Sequence, residues 1–443
     1  MRRAMKDSGI EWVGIVPDSW KLFRLKDLIS SHRGGSWGVE KQNNSNDRVC
    51  IRVADFDFEK QSIKKGERTY RNYSSDQFNR IQLVKGDILV EKSGGGDTTP
   101  VGRTVLFNED EECTYSNFIE RLSVVNGVNS EFLALIFKAM YQTSYVLKFI
   151  KQTTGIQNLD LSALFLESFA LPPKEDVDLI LTYLRQWLER IDHQIALQEE
   201  MIAELKAYKQ SLITEAVTKG LNPDVPMKES GLERVGQVPE HWEIIRFKYY
   251  VLFNPKAILS LDDKELVTYA PMESVGNGVL EKKEIEFGKV KSGYTYFADG
   301  DIIFAKVTPC FENGNIAIAD NLTNGAGYGS SELFVARPVK VNKKWLFYYL
   351  QNEVFKENAK STMTGTGGLK RVSPQFVANH HLALPPLDEQ ESIAINLEHK
   401  CGDVNQLLKA KHAIIESLKE YKQSLIYECV TGKRDCTREE ICT

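Results

Sequence analysis

One nine-residue phrase occurs twice in this chain and constrains its fold more than any other feature of the sequence. Residues 205–213 read LKAYKQSLI and residues 418–426 read LKEYKQSLI, an offset of 213 positions with one substitution. A match of this length does not arise by chance in a chain of ordinary composition, and self-similarity at a fixed period is the signature of a repeated architecture. The phrase therefore indicates two copies of a larger unit.

Further matching segments extend the repeat over the whole chain. The matched pairs are KDSGIEWVGIVPDSW at 6–20 with KESGLERVGQVPEHW at 228–242, KGDILVEKSGGG from residue 85 with DGDIIFAKVTPC from residue 299, and FALPP at 169–173 with LALPP at 382–386. The first half carries about eight additional residues, which we place in the loop around KQNNSNDR. The pattern predicts a tandem duplication of a unit of roughly 215 residues.

Each copy begins with a segment in which strand-like and helix-like sequence patterns alternate. Short β-rich runs such as DRVCIRV, GDILVE and IERLSVV alternate with turn residues and with helical pieces such as SEFLALIFKAMYQTSYVLKFI. The second copy repeats this alternation in ELVTYAPM, GDIIFAKV, SELFVARPV and KKWLFYYLQNEVF. The predicted fold class is therefore α+β, with two similar domains that each close at the prolines of an LPP sequence.

Each copy ends in a long segment whose apolar residues follow the alternating spacing of four and three that is typical of a coiled coil. The predicted seam positions are Val177, Leu181, Leu184, Leu188, Ile191, Ile195, Gln198, Ile202, Leu205, Lys209, Leu212 and Ala216, then Ile393, Leu397, Lys400, Val404, Leu407, Lys411, Ile414, Leu418, Tyr421 and Leu425. About 40 residues of helix would be ~60 Å long, which exceeds a single domain core. We therefore expect the two helices to form a long antiparallel coiled coil that separates the two domains, with a pseudo-two-fold relation between the halves.

The predicted domain boundaries follow from these segments. They are a first α+β domain over 1–173, a central helix over 174–220, a second α+β domain over 221–386, a C-terminal helix over 387–435, and a tail over 436–443.

Composition narrows the class of protein. The chain is 42% hydrophobic and 26% charged, which is typical of a globular protein, and no apolar run reaches the roughly 18 residues of a membrane span. The start has no apolar stretch behind its basic residues, so no secretory signal is predicted. Seven scattered cysteines without a CxxC pair favour a reducing compartment. We expect a cytoplasmic protein without membrane contact.

Neither charge nor motifs indicate an enzyme. The net charge of −5 lies in the helical segments, so the near-neutral domains remain compatible with nucleic acid. There is no GxxxxGK[ST] sequence, and GGG at 94–96 lacks the pattern of a nucleotide-binding turn. Two related but diverged domains suit an extended, roughly two-fold ligand, and duplex DNA is such a ligand.

The ordered set of repeated motifs resembles the specificity subunit of type I restriction–modification systems. The set comprises the SGIEWVGxVPxxW opening, the GDI strand, a TG turn before an LPP ending, the DEQ in LPPLDEQESIA, and a long helix closing in YKQSLI. The resemblance covers the whole chain, and the combination is far more specific than any one element. The first copy reads LPPKEDVDLI where the second reads LPPLDEQESI, so the first helix is expected to begin differently.

The resemblance implies a DNA sequence-specificity subunit of a bacterial defence system. Each α+β domain would be a target recognition domain that reads one half of a bipartite sequence in double-stranded DNA. The helices would set the spacer between the half-sites and dock two methyltransferase (modification) subunits, and restriction/translocase subunits would join the complex. S-adenosylmethionine and ATP with magnesium would be used by those partners, so this chain is expected to be non-catalytic, with no cofactor, metal site or catalytic residue of its own.

Candidate contact residues follow from the chemistry of DNA recognition. Base contacts favour Arg, Lys, Asn and Gln, and phosphate contacts add Lys, Ser and Thr. The candidates, all in polar loops beside glycine, are Arg33, Ser36, Trp37, Lys92, Ser93, Lys151, Thr154, Gln157 and Asn158 in the first copy, and Lys306, Thr308, Thr364, Thr366, Lys370 and Arg371 in the second. The alternative for each is an ordinary solvated loop residue.

Partner-binding candidates come from the repeated phrase itself. They are Tyr208, Lys209, Tyr421 and Lys422. The same residue types occur at equivalent positions of the two helices, whereas the sequences of the domain loops differ. One surface that binds two copies of the same partner would produce this pattern.

Two interpretations from other classes remain open. A coiled-coil scaffold that joins two protein-binding modules predicts no DNA affinity. An enzyme with an unrecognised nuclease site predicts that the purified chain cuts DNA in magnesium. The specificity-subunit interpretation predicts instead that DNA binding in the assembled complex falls steeply with salt.

Overall fold

Residues from both ends of the chain contribute to one of its two structural units. The computed structural model describes residues 3–153 and 155–436. Unit 1 combines residues 1–197 with residues 414–443, and unit 2 is residues 198–413. Among the described residues no helix is both long and apolar enough to cross a membrane.

The first part of the chain alternates short strands with short helices before the first long helix. Its strands are β1 Met5–Ile10, β2 Gly14–Pro17, β3 Lys21–Arg24, β4 Ile29–Gly34, β5 Val39–Glu40, β6 Asp47–Ile51, β7 Phe56–Asp57, β8 Ser62–Ile63, β9 Tyr70–Asn72, β10 Ile88–Glu91, β11 Ser93–Gly94, β12 Thr104–Leu106, β13 Cys113–Tyr115, β14 Ile119–Val124, β15 Ile150–Thr153, β16 Ile156–Leu159 and β17 Ser168–Leu171. Its α-helices are α1 Leu25–Leu28, α2 Ser75–Ile81, α3 Ser130–Gln142, α4 Leu161–Leu164 and the long α5 Lys174–Lys219.

The second part of the chain repeats this alternation before the second long helix. Its strands are β18 Met227–Glu229, β19 Gln237–Pro239, β20 Glu243–Arg246, β21 Val251–Phe253, β22 Leu266–Ala270, β23 Lys283–Glu286, β24 Thr295–Ala298, β25 Ile302–Ala305, β26 Ile316–Ile318, β27 Ala326–Gly329, β28 Leu333–Pro338 and β29 His381–Leu384. Its α-helices are α6 Lys343–Tyr349, α7 Glu353–Ser361, α8 Pro374–Asn379 and α9 Leu387–Val430.

The predicted α+β class is confirmed, and the duplication is visible in the main sheet of each unit. Unit 1 contains the antiparallel order β12-β10-β14-β4, and unit 2 contains β26-β25-β28-β21, which are the equivalent strands in the same order. The smaller sheet β17-β3 is matched by β29-β20, and the hairpin β1-β2 by β18-β19. The GDI sequences lead directly into β10 and β25, the central strands.

A second sheet differs between the units. Both contain one parallel pair, β13 with β6 and β27 with β22. In unit 1 the sheet continues past β6 to β9 and β5, whereas unit 2 has β23 beside β22 and β24 beside β27. The main sheet is thus the retained scaffold, and the second sheet is where the copies diverged.

The helical piece SEFLALIFKAMYQTSYVLKFI is shorter than the sequence predicts. The helix α3 ends at Gln142 and is followed by Ser144 in the left-handed region, with φ of 59°. A left-handed residue terminates an α-helix because the next backbone groups leave the helical path. A single 3₁₀ segment, Tyr145–Phe149, then leads into β15, so the rest of the apolar run serves the sheet.

The repeated opening motif anchors the end of a helix in each unit. Trp20 is fully buried in the core of unit 1 with Leu425 and Cys429 of α9, and Trp242 is fully buried in unit 2 with Ile213 and Val217 of α5.

The lysine that opens each copy of the motif holds the tryptophan segment in place. The Nζ atom of Lys6 donates to the carbonyl oxygens of Asp18 and Trp20 at 2.7 Å. The Nζ atom of Lys228 donates to those of Glu240 and Trp242 at 2.6 Å. This geometry accounts for the spacing between lysine and tryptophan in both copies.

The two long helices begin at equivalent residues, so the expectation that the first begins differently is wrong. The helix α5 begins at Lys174, directly after Pro173, and α9 begins at Leu387, directly after Pro386. The acidic residues of KED and LDE occupy the first turn of each helix, where they interact favourably with its dipole.

The predicted seam of α5 is confirmed by burial. All of its positions from Val177 to Ala216 are buried or half-buried. The predicted seam of α9 is wrong at four exposed positions, which are Lys400 and, at 50%, 42% and 40% exposure, Leu407, Ile414 and Tyr421.

The seam of α9 runs one residue further along at these turns. Its buried and half-buried positions are Leu397, Cys401, Val404, Leu408, Lys411, Ile415, Leu418, Lys422, Leu425 and Cys429. Each lies 213 residues after a seam position of α5, so the repeat itself predicts the phase that the apolar pattern missed. The apolar pattern gave the wrong phase because the seam includes cysteine and lysine, while leucine, isoleucine and tyrosine lie beside it.

Two lysines at equivalent seam positions hold the helices in antiparallel register. In unit 2 the Nζ atom of Lys209 donates to Oδ1 of Asn405 at 3.0 Å. In unit 1 the Nζ atom of Lys422 donates to Oδ1 of Asp192 at 2.6 Å. These are one contact made twice, because both members of the second pair are offset by 213 residues from members of the first. Polar groups in a coiled-coil seam fix register because a slipped pairing would leave them buried without a partner.

Candidate nucleic-acid interface

Two of the three predicted loops of unit 1 form one small sheet. Its strand order is β11-β16-β15, and its cross-strand neighbours include Ser93 with Asn158 and Asn158 with Lys151. The Ser93 hydroxyl donates to Oδ1 of Asn158 at 2.7 Å. The exposed Lys151 forms an ion pair of 2.5 Å with Asp160, and this ammonium group lowers the pKa of the Asp160 carboxyl. Thr154 lies outside the described residues.

A buried glutamate connects this sheet to the third predicted loop. Glu120 of β14 is opposite Gly34 of β4, next to Arg33. Its carboxylate accepts from Nζ of Lys92 at 2.8 Å and contacts Nδ1 of His32 at 2.8 Å. Arg33 is exposed, and its guanidinium has no hydrogen bond or ion pair within 3–153 and 155–436. The three predicted loops of unit 1 therefore lie side by side.

The remaining candidates of unit 1 divide into structural and exposed groups. Gln157 is buried, and its Oε1 accepts from the backbone N–H of the buried Val101 at 3.2 Å. Ser36 makes backbone hydrogen bonds to the buried Tyr73 and Tyr115. Trp37 follows it and is 39% exposed.

The predicted residues of unit 2 also come together. Val307 and Thr364 both form bridges to Arg371, and the Thr308 hydroxyl donates to the carbonyl oxygen of Gly368 at 2.7 Å. Lys306 donates to the carbonyl oxygen of Ser331 at 2.6 Å.

The exposed turn of this segment carries the other candidates. Thr366 and Lys370 are exposed, and Lys370 has no side-chain hydrogen bond or ion pair in the part of the chain that the structure describes. Arg371 forms a bidentate ion pair with Glu332, with its Nε at 3.0 Å and its Nη2 at 2.9 Å from the carboxylate oxygens. The Arg371 guanidinium lowers the pKa of the Glu332 carboxyl, and Lys306 acts in the same direction.

The two polar edges have the same register but different side chains. Ser93, Asn158 and Lys151 of unit 1 are equivalent by the repeat to Val307, Arg371 and Thr364 of unit 2. The backbone arrangement is thus retained while the groups it presents have changed. We call these two regions the polar edges of units 1 and 2.

Sequence reasoning missed the acidic residues that hold the cations of each edge. Glu120 and Glu332 lie near the start of equivalent strands, β14 and β28, and bind Lys92 and Arg371. No repeated position marks this feature, because the strand pairing makes Phe334, and not Glu332, equivalent to Glu120. Motif searches overlooked it because these glutamates act through packing rather than through a recognisable spacing.

The four partner-binding candidates lie on the helices. Lys209 and Lys422 are used inside the chain, in the register contacts with Asn405 and Asp192. Tyr208 and Tyr421 are 55% and 40% exposed beside the seam. Among the described residues no group of three or more His, Cys, Asp or Glu side chains is placed to hold a metal ion.

Two α+β units with one scaffold, diverged polar edges and long heptad helices define a duplicated recognition protein. The family model for the type I restriction modification DNA specificity domain matches residues 17–207 and 239–417. The chain belongs to this family of specificity proteins.

Individual relatives agree with this assignment. The specificity subunit of the type I restriction enzyme EcoAI from Escherichia coli is 35% identical over 231 residues, which is 49% of this chain and 39% of that protein. The corresponding EcoEI subunit is 34% identical, over 38% of its length, so the chain matches well under half of these two relatives. The MjaVIII specificity subunit from Methanocaldococcus jannaschii is 23% identical over 94% of this chain and 93% of its own length.

Solved structures share the fold. A chain from a study of assembly and conformational transition in the type I R-M system superposes with a TM-score of 0.69 at 16% identity, covering 95% of this chain and 99% of that one. The HsdS subunit from Thermoanaerobacter tengcongensis gives a TM-score of 0.51 at 16% identity, covering 95% and 98%.

The structure separates two neighbouring candidates, Gln157 and Asn158, by role. Replacing Gln157 with Ala leaves the buried N–H of Val101 without its acceptor, which should lower the free energy of unfolding by about 1–3 kcal/mol. Replacing the exposed Asn158 with Ala should change it by less than about 0.5 kcal/mol. Chemical denaturation of both variants measures this difference. Equal effects would show that Gln157 has no special structural role.

Proposed function

We propose that this chain is the DNA sequence-specificity subunit of a type I restriction–modification complex. Each unit reads one half of a bipartite target in double-stranded DNA. The chain itself is non-catalytic, and methylation with S-adenosylmethionine, ATP use and cleavage belong to partner subunits. Family membership supports the general role, while the target, partners and division of labour are the proposal.

The observation that carries the proposal is the pair of polar edges. One backbone register occurs in both units, yet Lys151 and Asn158 of unit 1 stand where unit 2 has Thr364 and Arg371. Sequence is read by side chains that reach base edges, whereas the scaffold fixes their position. A duplicated scaffold with exchanged polar groups is therefore suited to reading two different half-sites.

The repeat supplies its own test of this reading. Exchanging Lys151→Thr together with Asn158→Arg gives unit 1 the residues of unit 2 at equivalent positions. We expect the preferred bases to change in one half-site only, by about 5- to 150-fold for each altered contact. The measurement is selection of bound duplexes from a randomised pool by the assembled complex.

The reciprocal exchange, Thr364→Lys with Arg371→Asn, is the matched control and should alter the other half-site only. Thermal unfolding establishes that both variants remain folded. A change in both half-sites, or in neither, would contradict the assignment of these edges to base reading. A wild-type complex that selects no bipartite motif would contradict the proposed function itself.

The helices are proposed to dock the methyltransferase subunits through a second apolar face. In unit 2 Met201 and Tyr208 are exposed one heptad apart, and in unit 1 the equivalent Ile414 and Tyr421 are exposed at the same spacing. Apolar residues repeated every seven positions lie on one side of a helix and suit the packing of another helix. Two equivalent faces fit two copies of one partner.

Substitution of both tyrosines tests this docking surface. Tyr208→Asp with Tyr421→Asp should leave folding intact, because both side chains are exposed, but should weaken assembly with the methyltransferase subunits. The mass of the assembled complex by light scattering measures the effect. The control is Ala207→Glu, which places at the exposed position 207 the residue that the second copy already has at 420. Full assembly of the double tyrosine variant, or an equal loss with the control, would place the interface elsewhere.

A further inference from the structure

The second sheet of unit 1 carries an arginine whose donors are only partly used. Arg71 lies in β9, and its guanidinium carbon is 4.7 Å from the centre of the Trp37 ring. Its Nε donates to the carbonyl oxygen of Trp37 at 3.0 Å. Glu40 is its cross-strand neighbour, but within 3–153 and 155–436 the terminal nitrogens of Arg71 have neither a hydrogen bond nor an ion pair. The planar group is therefore held at two points with its outer donors available.

The support beneath Arg71 is rigid. The backbone that leads into Trp37 is held by two buried tyrosines, because the Tyr115 hydroxyl donates to the carbonyl oxygen of Arg33 and the Tyr73 hydroxyl to that of Ser36, both at 2.9 Å. Gly38 follows with φ of 64°, and a Cβ there would lie 2.8 Å from the Tyr73 ring. Only glycine fits this close approach, so the position of the indole is fixed by the core.

A second cation extends the same edge. The Nζ atom of Lys41 lies 5.1 Å from the ring centre of Tyr70, which is exposed in β9 beside Arg71. Residues 42–47 follow and form a tight loop closed by Asp47. Its carboxylate accepts from the backbone N–H groups of Gln42 and Asn44 at 3.1 Å and from the Asn72 side chain at 2.8 Å. The Asn72 hydrogen bond is the main reason that the pKa of Asp47 is lowered.

Unit 2 has no equivalent of this edge. Beside its parallel pair it has β23, with the sequence KEIE, in place of β9. Glu284 of this strand accepts from the Thr323 hydroxyl at 3.0 Å, and Glu286 forms an ion pair of 3.0 Å with Lys289. With Lys283 included, β23 carries a net charge of −1, whereas β9 carries the single positive charge of Arg71, so a phosphate backbone is attracted to the edge of unit 1 and not to that of unit 2.

We propose that Arg71, supported by Trp37, reads one base of the half-site bound by unit 1. This inference rests on the proposed function. Guanine is the expected base, because its N7 and O6 are a pair of acceptors that matches the guanidinium fork. Lys41 contacts a phosphate of the same half-site, which places the edge against the duplex. Unit 2 reads no base at the corresponding edge.

The acceptors that suit a guanidinium fork occur on guanine and on backbone phosphates, and one experiment separates the two. The full chain in its assembled complex selects duplexes from a randomised pool, as wild type, Arg71→Ala and Arg71→Lys. Base reading predicts that Arg71→Ala loses the preference for guanine at one position by about 5- to 150-fold, with all other positions unchanged. Arg71→Lys should lose most of it too, because lysine lacks the planar fork.

Two further variants complete the test. Lys283→Ala, on β23 of unit 2, is the matched control and should leave the selected sequence unchanged. Lys41→Ala should weaken binding to all sequences alike and reduce the salt slope by about one. Thermal unfolding of each variant confirms that the fold is retained.

The outcomes that overturn the inference are distinct from failure of the proposed function. Uniform weakening by Arg71→Ala across all sequences would make Arg71 a phosphate contact, and an unchanged motif and affinity would remove it from the interface. Both results leave the bipartite motif of the wild type intact. Absence of any bipartite motif with the wild-type complex would instead overturn the proposed function.

Discussion

The antiparallel pairing of α5 with α9 is the constraint on which the rest of the structure depends. Each unit is built from one domain and parts of both helices, so neither core closes without the pair. The contacts Lys209–Asn405 and Lys422–Asp192 fix the register in units 2 and 1 by the same chemistry. A slip by one heptad would break both contacts and expose apolar seam residues such as Leu184 and Leu397.

Duplication explains why scaffold and recognition could diverge separately. The main sheet, the hairpin and the buried tryptophan at the helix end are retained in both units, because they pack on the helices. The buried residues of the second sheets belong to hydrophobic clusters separate from those that contain the helices, and it is in these sheets and at the polar edges that the copies differ. Glu120 and Glu332 illustrate this divergence, since they lie two positions apart near the start of equivalent strands and hold different cations, Lys92 in one unit and Arg371 in the other.

The sequence predicted the architecture well because the repeat carries long-range information that a single copy lacks. The α+β class, the long helices and the seam of α5 all follow from it. The prediction of the α9 seam was wrong at several positions, because Lys422 and Cys401 occupy positions where an apolar pattern expects leucine. The sequence also did not predict the roles of Gln157 and Arg71, since a buried acceptor and a stacked guanidinium depend on neighbours that are distant in sequence.

The most direct test of the account lengthens both helices together. Four residues inserted after Leu197 in α5 and four after Ala413 in α9 lie between the two register contacts, so both contacts can still form. Each helix grows by about 6 Å, and its face turns by only ~40°. With a duplex rise of ~3.4 Å per base pair, the account predicts unchanged half-sites separated by one or two additional base pairs in a library of randomised spacers. The same insertion in α5 alone should disrupt assembly, because the register contacts can no longer form together. An unchanged gap in the doubly extended protein would contradict the proposal that the paired helices set the distance between the half-sites.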